Sequence, residues 1–202
     1  MLKFFSAAIA ALFVLPTQTI AAVEVGKLAP NFTATDIYGK EVSLDDYRGK
    51  TVVLEWNNPE CPFVVKHYSS GNMQQLQKEA TADGAVWLSI NSGGKDKQGY
   101  LTAEQAKVNF EEKGLASTSY ILDPAGAIGK QYDAKTTPHM FIVDTEGLIA
   151  YQGAIDSKAS FDPKDIEGAE NYVSLALASL KAGEPVATPS TKPYGCSVKY
   201  KY

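Results

Sequence analysis

The chain has 202 residues, 45% of them hydrophobic and 21% charged, the composition of an ordinary globular protein. Its formal net charge of −4 at pH 7 argues against nucleic acid as a partner, because binding phosphates needs a basic face. There are two cysteines, Cys61 and Cys196, and a single arginine, Arg48.

Residues 1–22 carry one Lys near the start, an apolar run from Phe4 to Leu15, and the small residues Ala21 and Ala22 where a signal peptidase could cut. The run is shorter than the roughly 20 residues that span a bilayer. A cleaved signal peptide is therefore expected, with an uncleaved anchor as the alternative. Cleavage would place the chain in the periplasm or outside the cell, free of the membrane. It would leave about 180 residues, a normal size for one domain with a single core.

An irregular lead-in follows, and residues 31–36 and 41–44 around the Tyr38-Gly39-Lys40 turn suggest a small hairpin. Residues 51–56, Thr-Val-Val-Leu-Glu-Trp, are nearly continuous β-branched and apolar sequence, as in a central strand covered on both faces. Pro62 fits the first position of a helix, where its missing N–H costs nothing. That helix should be interrupted at residues 69–72 (Ser-Ser-Gly-Asn), resume over 73–82 and stop at Gly84.

Residues 85–90 form the next buried strand. Thr102 with Gln105 makes a capping box for a helix to Lys113. A short strand is expected at 119–122 and a hairpin from 140–144 to 148–151. Asp162 and Pro163 start a last helix, ended by Gly183, whose apolar residues Ile166, Ala169, Val173, Ala176, Leu177 and Leu180 recur at helical spacing. From Glu184 the chain is rich in Pro, Thr, Ser and Lys, with little capacity to pack by itself. The element order implies an α/β domain with a mixed sheet and helices on both faces.

Cys61 lies where the buried strand has ended and a helix begins. A thiol reacts as its thiolate, and the unpaired N–H groups and positive dipole end of a first helical turn favour that form. Glu60 opposes it. Two cysteines in an exported protein can form a structural staple or a working redox pair, and the residue pattern by itself leaves both open.

The run LEWNNPECPF, followed by TTPHMFIVDTEGLIAYQGAID, resembles the thioredoxin-like superfamily, nearest the branch shared by peroxiredoxins of the alkyl hydroperoxide reductase and thiol-specific antioxidant kind and periplasmic thiol–disulfide oxidoreductases. The lead-in APNFTATDIYGKEVSLDDYRGKTVVLEW is similar to the same branch. The resemblance implies a thioredoxin-like fold with an N-terminal hairpin, and Cys61 at the N-terminus of the first core helix. It also implies a cis Thr137–Pro138 peptide facing the sulfur, with the Thr137 backbone available to an extended substrate segment.

Two family signatures are broken. Val64 stands where C-x-x-C has its second cysteine, and Leu54 and Asn58 replace the Pro and Thr of the peroxiredoxin P-x-x-x-T-x-x-C. No Arg follows Cys61, so any peroxidase activity should be weak or depend on a Lys. The tail segment ending Tyr194-Gly195-Cys196 resembles a subgroup with a CPF active site and a C-terminal Cys. In that reading Cys196 swings in on a flexible tail to resolve an intermediate formed on Cys61. A permanent bridge closing the same loop of about 135 residues would stabilise the fold by roughly 4–5 kcal/mol in the chain-entropy model.

The expected partition is 1–22 signal peptide, 23–183 thioredoxin-like domain and 184–202 tail. Cys61 and Cys196 are the candidate catalytic residues, and Asn57, Asn58, Thr137 and Pro138 shape the site. The expected partners are a protein or small-molecule disulfide, or a peroxide, with a separate thiol reductant. A copper site using His67 and His139 would need a cysteine where Val65 stands, so neither a metal nor a cofactor is expected. The function expected is thiol–disulfide exchange. A weak peroxidase is the alternative enzyme, and a binding module with a structural disulfide is the alternative from another class.

Overall fold

A computed structural model describes residues 23–201; the expected signal peptide lies outside the described residues. In chain order the strands are β1 (Thr33–Thr35), β2 (Glu41–Ser43), β3 (Val52–Trp56), β4 (Val86–Asn91), β5 (Ser119–Leu122), β6 (Thr136–Thr137), β7 (His139–Val143), β8 (Ile149–Gly153) and β9 (Cys196–Ser197). The helices are α1 (Pro62–Ser69), α2 (Asn72–Ala82), α3 (Ala103–Glu112), α4 (Ala127–Gln131) and α5 (Tyr172–Lys181).

Five strands form one mixed sheet in the order β5-β4-β3-β7-β8, while β1 and β2 pair as the expected hairpin. β3 runs parallel to β4 and antiparallel to β7. All five residues of β3 are buried because both faces of this central strand are covered. Leu54 and Trp56 point into one core with the hairpin and Ile128 of α4; Val53 points into the other with Val64, Met73, Ala106 and Val173 from the remaining helices. This is the thioredoxin-like α/β architecture, with helices on both faces.

Local signals account for most boundaries. Gly71, at φ +77, separates α1 from α2 where the Ser-Ser-Gly-Asn cluster predicts a break. The Thr102 and Gln105 capping box starts α3. The last helix departs from expectation. Pro163–Ile166 makes only a 3-10 turn, and α5 begins ten residues after Asp162, at Tyr172, capped by the Asn171 side chain accepting from the Ser174 N–H at 3.0 Å. Asp156 bridges to Asn171 and the Tyr172 N–H bonds the Ile155 carbonyl, so the intervening residues are closed off as a loop, which packs on α1 through Phe63–Phe161 and Lys66–Lys158 contacts.

The tail departs further from expectation. Its described part is docked on the domain as a strap. Thr191 accepts from the Ala154 N–H at 2.9 Å, and the Gln152 and Thr191 backbones exchange hydrogen bonds with residues 189 and 152. β9 then pairs antiparallel with β6. Beyond it, the Val198 N–H bonds the Lys135 carbonyl, and the Tyr200 hydroxyl donates to the Ala134 carbonyl at 2.8 Å. A segment with no periodicity of its own finds partners by using the domain's free backbone groups.

Candidate active site

β3 and β7 run antiparallel with Trp56 opposite His139. The chain leaving β3 therefore emerges beside the chain entering β7, and this brings Cys61 to Thr137 and Pro138. Cys61 is the N-cap of α1 with Pro62 at its first position, so the sulfur sits at the open N-terminus. The Thr137–Pro138 peptide is cis. The Cys61 thiol donates to the Thr137 carbonyl at 3.0 Å.

Cys196 occupies the position that an extended substrate was expected to take. It lies directly opposite Thr137 in the two-residue ladder, and the two thiols are free and hydrogen-bonded to one another. Under this cover Cys61 is fully buried, while Cys196 is half-buried. Gly195 permits the approach: its φ is +127, and a Cβ there would strike the Thr137 carbonyl.

The two sulfurs are electrostatically unequal. Burial pushes the Cys61 thiol up, but hydrogen bonds from the Cys196 thiol and from the Val64 and Cys196 backbones outweigh it and hold Cys61 below its ordinary value. Cys196 is pushed up to about 11 by burial, by its hydrogen bond to Cys61 and by the Cys61 charge. Cys61 is the sulfur that ionises first; Cys196 stays protonated and supports it.

The two asparagines act from behind. The Asn57 amide donates to Glu55 Oε1 at 2.9 Å and its carbonyl accepts from the Tyr120 hydroxyl at 3.0 Å. The Asn58 amide reaches the Gln98 carbonyl at 3.4 Å, and its oxygen accepts from the Glu60 N–H at 2.9 Å. Glu60 itself turns to the Gly99 N–H at 3.2 Å. These side chains shape the loop into Cys61 and spend their polar groups doing so. Arg48, which is exposed, bonds Asp45 and the Glu146 carbonyl.

Sequence reasoning passed over two buried clusters. Glu55 lies in the sheet and accepts from Asn57, Tyr68, Gln77, Trp87 and Ser89 at 2.8–3.1 Å. A carboxylate inside an otherwise apolar strand was the available signal, since a buried charge has to be heavily hydrogen-bonded. The second cluster is Lys66, His67 and Asp156, with Tyr194 of the strap seated on it. Burial and Lys66 drive His67 down to about 4 against the opposing Asp156, so its ring is neutral at physiological pH. His139 stands apart, its ring tilted at 48° to Phe141 with centroids 4.5 Å apart and accepting from the Lys135 N–H.

A family model described as the AhpC/TSA family matches residues 25–152. A protein named thiol-disulfide oxidoreductase ResA, from Bacillus thuringiensis subsp. konkukian, is 28% identical over 127 residues, which are 63% of this chain and 68% of that one. The crystal structure of an uncharacterized conserved protein from Geobacillus kaustophilus has a TM-score of 0.74 at 28% identity, covering 88% of this chain and 93% of that one. A hypothetical protein from Sinorhizobium meliloti 1021 has the same TM-score at 21% identity, over 90% and 97% of the two chains, and shares the fold.

Proposed function

This chain belongs to the AhpC/TSA family, and from that membership we propose that it is an exported thiol–disulfide oxidoreductase with Cys61 as nucleophile and Cys196 as resolving thiol. The observation that carries the reading is the meeting of the two thiols across the β6–β9 ladder, with Cys61 the more acidic. The name of the Bacillus relative agrees with it.

The Cys61 thiolate attacks one sulfur of a partner disulfide, forms a mixed disulfide and releases the other sulfur as thiolate. Cys196 then loses its proton to solvent and attacks the Cys61 sulfur, releasing the second partner thiolate and leaving a Cys61–Cys196 disulfide. Two electrons pass from the protein dithiol to the partner, and an external thiol reductant restores the pair. Because Cys61 is fully buried, the strap has to lift before the first attack. Asn57, Asn58, Thr137 and Pro138 hold the loops that frame the sulfur. Cleavage of residues 1–22 would deliver the chain to the periplasm or beyond. Among the described residues, no helix is long and apolar enough to cross a membrane.

Peroxide is the less favoured substrate, because the only arginine is engaged with Asp45 and Glu146 and the Asn58 amide with Gln98. The reading is tested by challenging the reduced chain with oxidised glutathione and, separately, with hydrogen peroxide. Disulfide exchange should be lost in Cys61→Ser, and Cys196→Ser should accumulate glutathione on Cys61. A couple with a potential far below about −300 mV that exchanges with neither oxidant would leave a structural bridge as the answer.

A further inference from the structure

The exchange of disulfides makes no use of the polar cluster under Tyr194. Lys66 and His67 come from α1, the helix that Cys61 caps, and Asp156 follows β8; all three are buried. The Tyr194 hydroxyl donates to Asp156 Oδ1 at 2.5 Å, and the same oxygen accepts from the Lys158 N–H at 2.9 Å. Lys66 Nζ lies 3.6 Å from the other carboxylate oxygen and donates to the Lys158 carbonyl at 3.1 Å.

His67 Nδ1 faces the Asn72 amide at 2.9 Å and Nε2 faces the Tyr194 oxygen at 3.3 Å. Asn72 has only N–H to offer there, so the imidazole carries its proton on Nε2 and donates to the phenol oxygen. The phenol proton is thereby committed to Asp156. The Tyr194 ring packs at 5.8 Å from Phe63, with the Lys66 ammonium 5.9 Å from its centroid.

Burying a lysine, a carboxylate and a histidine is a costly way to hold a strap, and an apolar plug would hold it at least as well. What directional hydrogen bonds add is position. Only Gly195 separates Tyr194 from Cys196, and its backbone lies against Thr137. The place of the hydroxyl therefore fixes the place of the thiol two residues on.

We propose that Tyr194 is the positioning residue of the redox pair. Its hydroxyl, seated among Lys66, His67 and Asp156, holds Cys196 on Cys61 and so sets the balance between dithiol and disulfide. Closing an intramolecular disulfide is favoured in proportion to the effective concentration of one thiol at the other, and a strap held in register keeps that high. This rests on the reading of Cys61 and Cys196 as a redox pair.

The test equilibrates the full chain in glutathione buffers, in which the dithiol and one oxidised glutathione exchange with the protein disulfide and two reduced glutathiones. Acid quenching, alkylation and mass spectrometry then give the equilibrium constant. Tyr194→Phe, which keeps the ring, should lower the constant for disulfide formation about tenfold, equivalent to about 30 mV. Tyr200→Phe removes a strap hydrogen bond beyond Cys196 and should change it less than threefold.

If Tyr194→Phe does not fold, Asp156→Asn, which keeps the shape of the acceptor, is read by the same criterion of a threefold fall or more. In a Cys196→Ser background, Tyr194→Phe should also speed alkylation of Cys61 at least fivefold. A constant within threefold of wild type for Tyr194→Phe, or an equal fall for Tyr200→Phe, overturns the assignment. A chain that forms no Cys61–Cys196 disulfide in any buffer overturns the redox reading itself.

Discussion

Substituting Gly195 by alanine isolates the contact that lets the strap close over Cys61. At φ +127 the backbone sits where glycine alone is at ease, and placing an L side chain in such a region costs about 1–3 kcal/mol. The new methyl would also meet the Thr137 carbonyl oxygen and carbon. Neither neighbour is a flexible side-chain end; both belong to β6, and moving them means giving up the two-residue ladder with Cys196. Taking the backbone penalty alone, the ratio of lifted to docked strap rises by roughly 5- to 150-fold, at 1.4 kcal/mol per factor of ten.

Cys61 is the reporter, because it is 0% exposed beneath the strap. Iodoacetamide labelling of the reduced protein, followed by mass spectrometry of the Cys61 peptide, reads the lifted fraction. Alkaline buffer keeps the thiol ionised in both proteins, so that the loss of the Cys196 hydrogen bond does not mask the gain in access. Labelling of Cys61 in Gly195→Ala should be faster by the factor above. A rate within twofold of wild type would refute the reasoning, since it would mean that Cys61 is reached without lifting β9.

Two further outcomes concern stability. His67 and His139 are both held neutral, with values of about 4, against an ordinary value near 6.5 in the unfolded chain. Between those limits the unfolded state binds protons that the native state refuses, so stability falls as pH drops through the window, by up to roughly 3 kcal/mol for each ring. Urea midpoints from neutral pH down to about 4.5 should show this fall, less steeply in His139→Gln; a flat profile would count against neutral burial of the rings. Glu55→Ala strips the acceptor from five buried donors, among them Trp87 Nε1 at 2.9 Å and the Tyr68 hydroxyl at 2.8 Å. It should cost about 3–5 kcal/mol in urea denaturation, and a loss under about 1 kcal/mol would show that entering water replaces the carboxylate.

Features that rest on neighbours in the chain are legible in the sequence alone. The five-residue apolar run of β3, the glycine between α1 and α2, the capping box of α3 and the β7–β8 hairpin each follow from short-range periodicity or from a cap. So does the placing of Cys61 on α1, because Pro62 marks the turn where a helix can start. The last helix starts later than its pattern suggests because a non-local contact intervenes. Its apolar spacing extends back through Ile166, but the backbone bond from Tyr172 to Ile155, seventeen residues earlier, and the cap at Asn171 override that pattern.

The sequence by itself determined the fold class, the place of Cys61 at the start of a helix and the existence of a second cysteine far along the chain. Only the tertiary structure decided how the two meet. The strap has no periodicity to announce it, and much of its docking is through backbone hydrogen bonds, which leave no mark on residue type. Its anchor joins Tyr194 to His67 across 127 positions and to Asp156 across 38. A socket built from such separations leaves no local trace, because each of its residues satisfies a partner that folding alone brings near.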